Sequence, residues 1–313
     1  MTTIGDRLPP LSGGGLECHL NPRTQRTDLM LRLTRDDGGL QCLVDSHAYF
    51  SFTDGLLTQW PSISKFGQNW LSTNNILNET VENLWLEFDI NETQPDMTKP
   101  PSVFFEVNRH KQLTLVRQLA VIEAALNCLS PKSIQFLSKV HILLSKLSEN
   151  TGLDYVGSML MRDMHGIRLC MLGFEIGQVL PFLERIEWPG NLHNVKRLLA
   201  RYAVNADCLV LDLDVTESIN SGIGLEVFFQ HSQSWQSLLQ QLSSEQRVDR
   251  RAAEAISHWP GVTKLNREPF RWALQQAQGT AIDYLIRRFN HLKFSLDAED
   301  QMSIKAYLYF CYG

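Results

Sequence analysis

His291-Leu292-Lys293-Phe294-Ser295-Leu296 and Ile304-Lys305-Ala306-Tyr307-Leu308-Tyr309-Phe310 flank the polar segment Asp297-Ala298-Glu299-Asp300, a pattern that predicts a β-hairpin. Successive strand side chains point to opposite sides. One face therefore carries His291, Lys293, Ser295, Lys305, Tyr307 and Tyr309, and the other carries Leu292, Phe294, Leu296, Ile304, Ala306, Leu308 and Phe310. Two lysines, two tyrosines and a histidine on one strand face suit an anion held beside an apolar group.

The same alternation recurs four times upstream. Leu29–Asp45 reads as a first hairpin, with Met30, Arg32 and Thr34 on one face and a turn at Asp36-Asp37-Gly38-Gly39. The second has arms Leu84–Ile90 and Ser102–Val107, which put Trp85, Glu87, Asp89, Phe104 and Glu106 on the polar face. Tyr155–Phe174 forms the third, turning at Asp163-Met164-His165-Gly166, with Tyr155, Gly157, Met159, Met161, Arg168 and Cys170 sharing a face. In the fourth, Cys208–Val215 and Ile223–Phe229 align Val210, Asp212 and Asp214 with Gly224, Glu226 and Phe228.

Helical patterns fill each interval: Ser46–Trp60 and Ser62–Asn78, Lys111–Cys128 and Pro131–Ser148, Gly177–Glu187 and Leu192–Ala203, and broken stretches over Ser232–Arg288. Arg287-Arg288 falls at the end of the last as a solvated helix face. Residues 1–27, rich in Gly and Pro, are expected to be an irregular lead-in to a single domain over 28–313.

Ten antiparallel strands need their edges managed, and closure into a barrel does so completely. Amphipathic helices must cover an apolar surface, which only the aliphatic strand faces supply, so the helices belong outside and the polar faces line a lumen. An open sheet with its polar face in water is the alternative. Trp85, Phe104, Tyr155, Met159, Phe228, Tyr307 and Tyr309 weigh against it, being heavily aromatic for a solvated face.

The 313 residues carry a net charge of −5 and no long basic run, which disfavours nucleic acid and anionic membranes as partners. The six cysteines are scattered without a CxxC pair and no signal peptide is visible, so a cytoplasmic chain with free thiols is expected. No apolar stretch reads as a membrane span. Phosphate-loop, dinucleotide, zinc-peptidase and serine-hydrolase motifs are all missing, and the nine histidines lack metal-ligand spacing.

This arrangement resembles the ABBA-type prenyltransferases, α+β proteins whose ten-stranded barrel is built from successive α-β-β-α units with helices outside. Lys305-Ala306-Tyr307 looks like the Lys-x-Tyr pattern of their lumen strands. The resemblance covers about residue 28 to the end and is architectural. Members that prenylate peptides in cyanobactin-like pathways are of similar length. It implies a monomeric transferase that moves dimethylallyl or geranyl from a prenyl diphosphate, often with Mg²⁺, to a peptide or small-molecule acceptor.

On that reading, ionising the donor creates a departing anion and a diffuse carbocation. Arg32, Arg168, Lys293, Lys305 and Tyr307 are candidates for the diphosphate, and Trp85, Tyr155, Phe228 and Tyr309 for shielding the cation. Glu87 is the candidate base. Asp89, Asp212, Asp214 and Glu226 are candidates for the acceptor, with the Asp212/Asp214 spacing also suited to Mg²⁺. Alternatively, Lys293 and Lys305 simply pair with Glu226 or Asp212, and the tyrosines pack at the rim. The excess of acids favours a cationic acceptor such as the arginine side chain, which matches carboxylates bidentately. It equally suits a non-catalytic barrel that binds a cationic or peptide ligand.

Overall fold

A computed structural model describes residues 13–21, 26–35, 60–90, 99–107, 113–162, 165–264 and 284–312. Among them are eleven strands: β1 (Gly13–His19), β2 (Arg26–Thr34), β3 (Asn83–Phe88), β4 (Ser102–Glu106), β5 (Gly152–Ser158), β6 (Ile167–Phe174), β7 (Cys208–Val215), β8 (Ile223–Phe228), β9 (Gly261–Lys264), β10 (Tyr284–Leu296) and β11 (Met302–Tyr312). All pairings are antiparallel, and β11 closes the ring by bonding to both β10 and β1. Ten strands make the barrel. β9 stands apart, pairing only with the start of β10, from Tyr284 to Arg287.

Helices α1 (Pro61–Leu71), α2 (Ile76–Thr80), α3 (Leu115–Leu129), α4 (Leu137–Leu144), α5 (Ile176–Arg185), α6 (Leu192–Tyr202), α7 (Ser232–Ser244) and α8 (Arg250–Ser257) supply the outer layer. Their starts follow local chemistry. Pro61 opens α1, where a missing N–H costs nothing. Asn191 and Asp249 accept hydrogen bonds from the first-turn amides of α6 and α8.

The core lies between this layer and the outward strand faces. Leu84, Phe105, Val156, Leu169, Leu211, Leu225 and Phe294 are all fully buried, each side chain stabilising the fold by roughly 1.5–3 kcal/mol. Rings bridge the layers: Phe66 of α1 meets Phe105 of β4 at 6.0 Å, and Tyr202 of α6 stacks on Phe294 of β10 at 5.1 Å. The architecture is the closed barrel with external helices that the alternation predicts. No described helix is long and apolar enough to cross a membrane.

Three local expectations need correction. Gly13–His19 is not an irregular lead-in but barrel strand β1, because Leu16, Cys18 and Leu20 alternate with Glu17 and His19. Its glycines leave room for lumen side chains: a Cβ on Gly13 would sit 2.5 Å from the Tyr309 hydroxyl. The first hairpin is consequently β1–β2, with Leu29 opposite Leu16. The expected turn at Asp36–Gly39, its second arm and the helix expected from Ser46 fall mostly outside the described residues, which resume at Trp60. Finally, Tyr284–Arg288 extends β10 rather than a helix, so Arg287 and Arg288 lie on a strand.

Candidate active site in the barrel lumen

The strand registers bring the polar faces together inside the ring. Tyr155 sits opposite Cys170, Arg168 opposite Asp214, Val210 opposite Glu226, Lys293 opposite both Glu226 and Lys305, and His291 opposite Tyr307. Two adjoining cavities result. One, of about 460 Å³, is walled by Trp85, Phe104, Tyr155, Phe228, His291 and Tyr307, with Glu87 and Glu226. The other, of about 1020 Å³, is polar and carries Arg162, Arg168, Lys293 and Lys305 beside Asp212 and Asp214. Arg168 and Lys293 line both.

Each cation of the polar cavity is held by carboxylates. Arg168 grips Asp214 through two parallel hydrogen bonds of 2.8 Å, the bidentate geometry that makes such pairs strong. Burial opposes ionisation at Asp214, but Arg168 outweighs it and holds the carboxyl below its ordinary range. Lys293 pairs with Asp212 and lies 3.4 Å from Glu226. Two carboxylates thus face one ammonium in a buried site. Burial pushes Asp212 and Glu226 up, while their charges more than offset burial at Lys293 and keep it protonated. Gly224 makes this pair possible, since a Cβ there would lie 2.9 Å from both the Asp212 carboxylate and the Lys293 chain.

A second cluster occupies the β11–β1–β2–β3 wall. Glu17, 1% exposed, is paired with Lys305 and accepts the Tyr307 hydroxyl. Burial alone would raise its carboxyl, but His19, Lys305 and Lys293 together hold it well below the ordinary range. His19 bridges to Asp28 at 2.8 Å, and Asp28 also takes Arg26 at 2.8 Å and the Ile90 amide at 2.9 Å. Arg162, from the one-turn helix Leu160–Arg162 after β5, reaches Glu87 and chelates Asp89 at 3.0 and 2.8 Å. Glu87 is 5% exposed, and burial, then the charge of Glu17, raises its carboxyl above the usual value despite Arg162.

The aromatic wall is also hydrogen-bonded. Trp85 donates its indole N–H to Tyr155 at 3.3 Å, Tyr155 donates to Asn83 at 2.9 Å, and Asn83 donates to Glu106. Tyr309 meets Trp85 edge-on at 6.4 Å. His291 is sandwiched between Tyr307 and Phe228, with ring centroids 4.2 and 4.5 Å away.

The structure therefore gathers Glu87, Arg168, Lys293, Lys305, Tyr307, Trp85, Tyr155, Phe228, Asp212, Asp214 and Glu226 around the two cavities. Arg32, Tyr309 and Asp89 lie on lumen strands or just beyond them but line neither. Glu17, His19, Arg26, Asp28 and Arg162 were not among the expected residues. The alternation of Glu17 and His19 with Leu16 and Cys18 was a usable signal for the first pair. Nothing local marks Arg162, which lies on a one-turn connection. Asp212 and Asp214, whose spacing also suits Mg²⁺, are paired with Lys293 and Arg168 respectively.

No family model matches the sequence, and no curated protein matches it. Solved structures match along nearly its whole length. The apo form of the prenyltransferase PriB gives a TM-score of 0.53 at 11% identity, covering 96% of this chain and 83% of that one. A 6-dimethylallyl tryptophan synthase gives 0.54 at 13%, covering 96% and 83%. AnaPT from Neosartorya fischeri gives 0.50 at 11%, covering 96% and 80%. PriB has also been solved as a ternary complex with L-tryptophan and dimethylallyl thiolodiphosphate. The chain has the ABBA, or PT-barrel, fold.

Proposed function

From the ABBA barrel we propose that this chain is a prenyltransferase, moving a short isoprenoid such as dimethylallyl or geranyl from its diphosphate to an acceptor, with the arginine side chain of a peptide as the acceptor favoured. The observation that carries this reading is the junction of the two cavities at Arg168 and Lys293, with four cations on one side and aromatic walls on the other. An allylic diphosphate has the same division into an anionic head and an apolar tail. The neighbouring folds of PriB and 6-dimethylallyl tryptophan synthase support the same chemistry.

In this reading Arg168, Lys293, Lys305 and Arg162 exchange carboxylate partners for phosphate oxygens. The allylic C–O bond breaks and its electron pair leaves with the diphosphate. Trp85, Tyr155 and Phe228 present ring faces to the allylic cation, which lasts only where water is excluded. A nitrogen lone pair of the acceptor forms the new C–N bond, and Glu87 takes the proton released. A carboxyl held above its ordinary range is better matched to that task than a free one.

The test is incubation with dimethylallyl or geranyl diphosphate and arginine-, tryptophan- or tyrosine-bearing peptides, read by mass and by diphosphate release. A mass gain on the arginine peptide is the expected result. Neither mass gain nor diphosphate release would leave a barrel that holds a cationic or peptide ligand without chemistry. One observation favours that second reading: all four cations of the polar cavity already sit on carboxylates.

A further inference from the structure

His291 is 5% exposed, lines the aromatic cavity, and neither of its ring nitrogens has a hydrogen-bond partner in the protein. Leaving a buried polar group unsatisfied costs about 1–3 kcal/mol, so such a group marks a place where a ligand completes the structure. The ring is also flanked on both sides. Tyr307 stacks on it at an interplanar angle of 20° and Phe228 is tilted against it at 40°, and Glu226 lies 3.5 Å from Nε2.

The other polar groups of the cavity indicate what kind of ligand fits. Five of its donors are committed: Trp85 to Tyr155, Tyr155 to Asn83, Tyr307 to Glu17, Arg168 to Asp214, and Lys293 to Asp212 and Glu226. Its acceptors are only partly used, because Glu87 gives one oxygen to Arg162, Glu226 gives one to Lys293, and the imidazole gives none. A ligand that only donates satisfies this wall. A guanidinium carries five N–H donors and no acceptor.

We propose that His291 is an acceptor-binding residue, turning one ring nitrogen toward Glu226 and receiving on the other a hydrogen bond from an N–H of a guanidinium in the aromatic cavity. This deepens, and rests on, the arginine reading of the acceptor. Burial, then the charge of Lys293, lowers the imidazole to about 3, so it stays uncharged near neutrality and does not repel a cation. The same shift makes it a poor proton acceptor. It orients the guanidinium and leaves deprotonation to Glu87.

The test uses the full chain labelled with ¹⁵N at histidine and N-acetylarginine amide as the probe. The His291 ring resonances, assigned by their loss in His291→Phe, should shift on addition of the probe and stay in the range of an uncharged imidazole. His291→Phe keeps a ring between Tyr307 and Phe228 and should weaken probe binding by calorimetry about tenfold or more, the loss of one bond to a charged group. It should raise the KM for the arginine peptide without changing that for the prenyl diphosphate. Unmoved wild-type resonances, in a protein that still prenylates arginine, would overturn the role of His291 and leave the function standing. Shifted resonances without any turnover would support the binding role and count against the transferase reading.

Discussion

Tyr307 of β11 donates its hydroxyl to Glu17 of β1 directly across the seam that closes the barrel, where the two residues are register partners. Lys305, two residues earlier on the same face, pairs with the same carboxylate. The closing contact of the ring is thus a buried acid held by a phenol and an ammonium.

Glu17→Gln should destabilise the protein by about 3–5 kcal/mol, since it leaves Lys305 uncompensated, and Tyr307→Phe by about 1–3 kcal/mol. The Glu17 carboxyl lies below its unfolded value, so its stabilising contribution is complete above the ordinary carboxylate range and disappears as pH falls through the folded value. Urea midpoints at about pH 5 and about pH 3 should fall less in Glu17→Gln than in the wild type. Parallel losses in the two proteins would refute this.

Glu87 has the opposite sign. Its carboxyl is raised in the fold, so its contribution is present at low pH and is lost as pH rises through the folded value. Glu87→Gln should gain on the wild type in urea stability between about pH 5 and about pH 8. If Glu87 takes the acceptor proton, the same variant should lower kcat by about 10²–10⁴ and remove the acidic limb of the kcat–pH profile. An unchanged profile would move the base elsewhere.

Asp212 competes with any anion for Lys293. Asp212→Asn should therefore tighten inhibition by inorganic diphosphate, whereas Lys293→Met should weaken it. Equal inhibition of Asp212→Asn and wild type, measured at fixed ionic strength, would place the diphosphate away from this pair.

Gly224→Ala brings a methyl group to 2.9 Å from both Asp212 and Lys293. The crowding should cost about 1–3 kcal/mol by denaturation and displace the pair. Gly177→Ala, in the first turn of α5 with nothing within 4 Å of the new Cβ, is the control without crowding and should keep or modestly raise stability.

Much of this could be read from the chain itself. A period of two assigns each side chain to a face without any knowledge of its neighbours, so Glu87, Arg168, Asp212, Glu226, Lys293 and Tyr307 were legible as one polar surface before any fold was known. The need of amphipathic helices for an apolar partner then turned that surface inward. Glu17 and His19 alternate with Leu16 and Cys18, but the three successive glycines before them read as a loop until Tyr309 and Met30 are seen to need their space.

Only the tertiary structure decided which charges meet. Alternation determines the face a residue occupies but not the residue opposite, which depends on register and on which strand closes the ring. Lys305 finds Glu17 from the far end of the chain, and Arg162 reaches Glu87 and Asp89 from a one-turn connection. His291 illustrates the limit. The sequence marked its face, but its lack of a hydrogen-bond partner follows from the register that sets Tyr307 and Phe228 against its ring and leaves its nitrogens to the cavity.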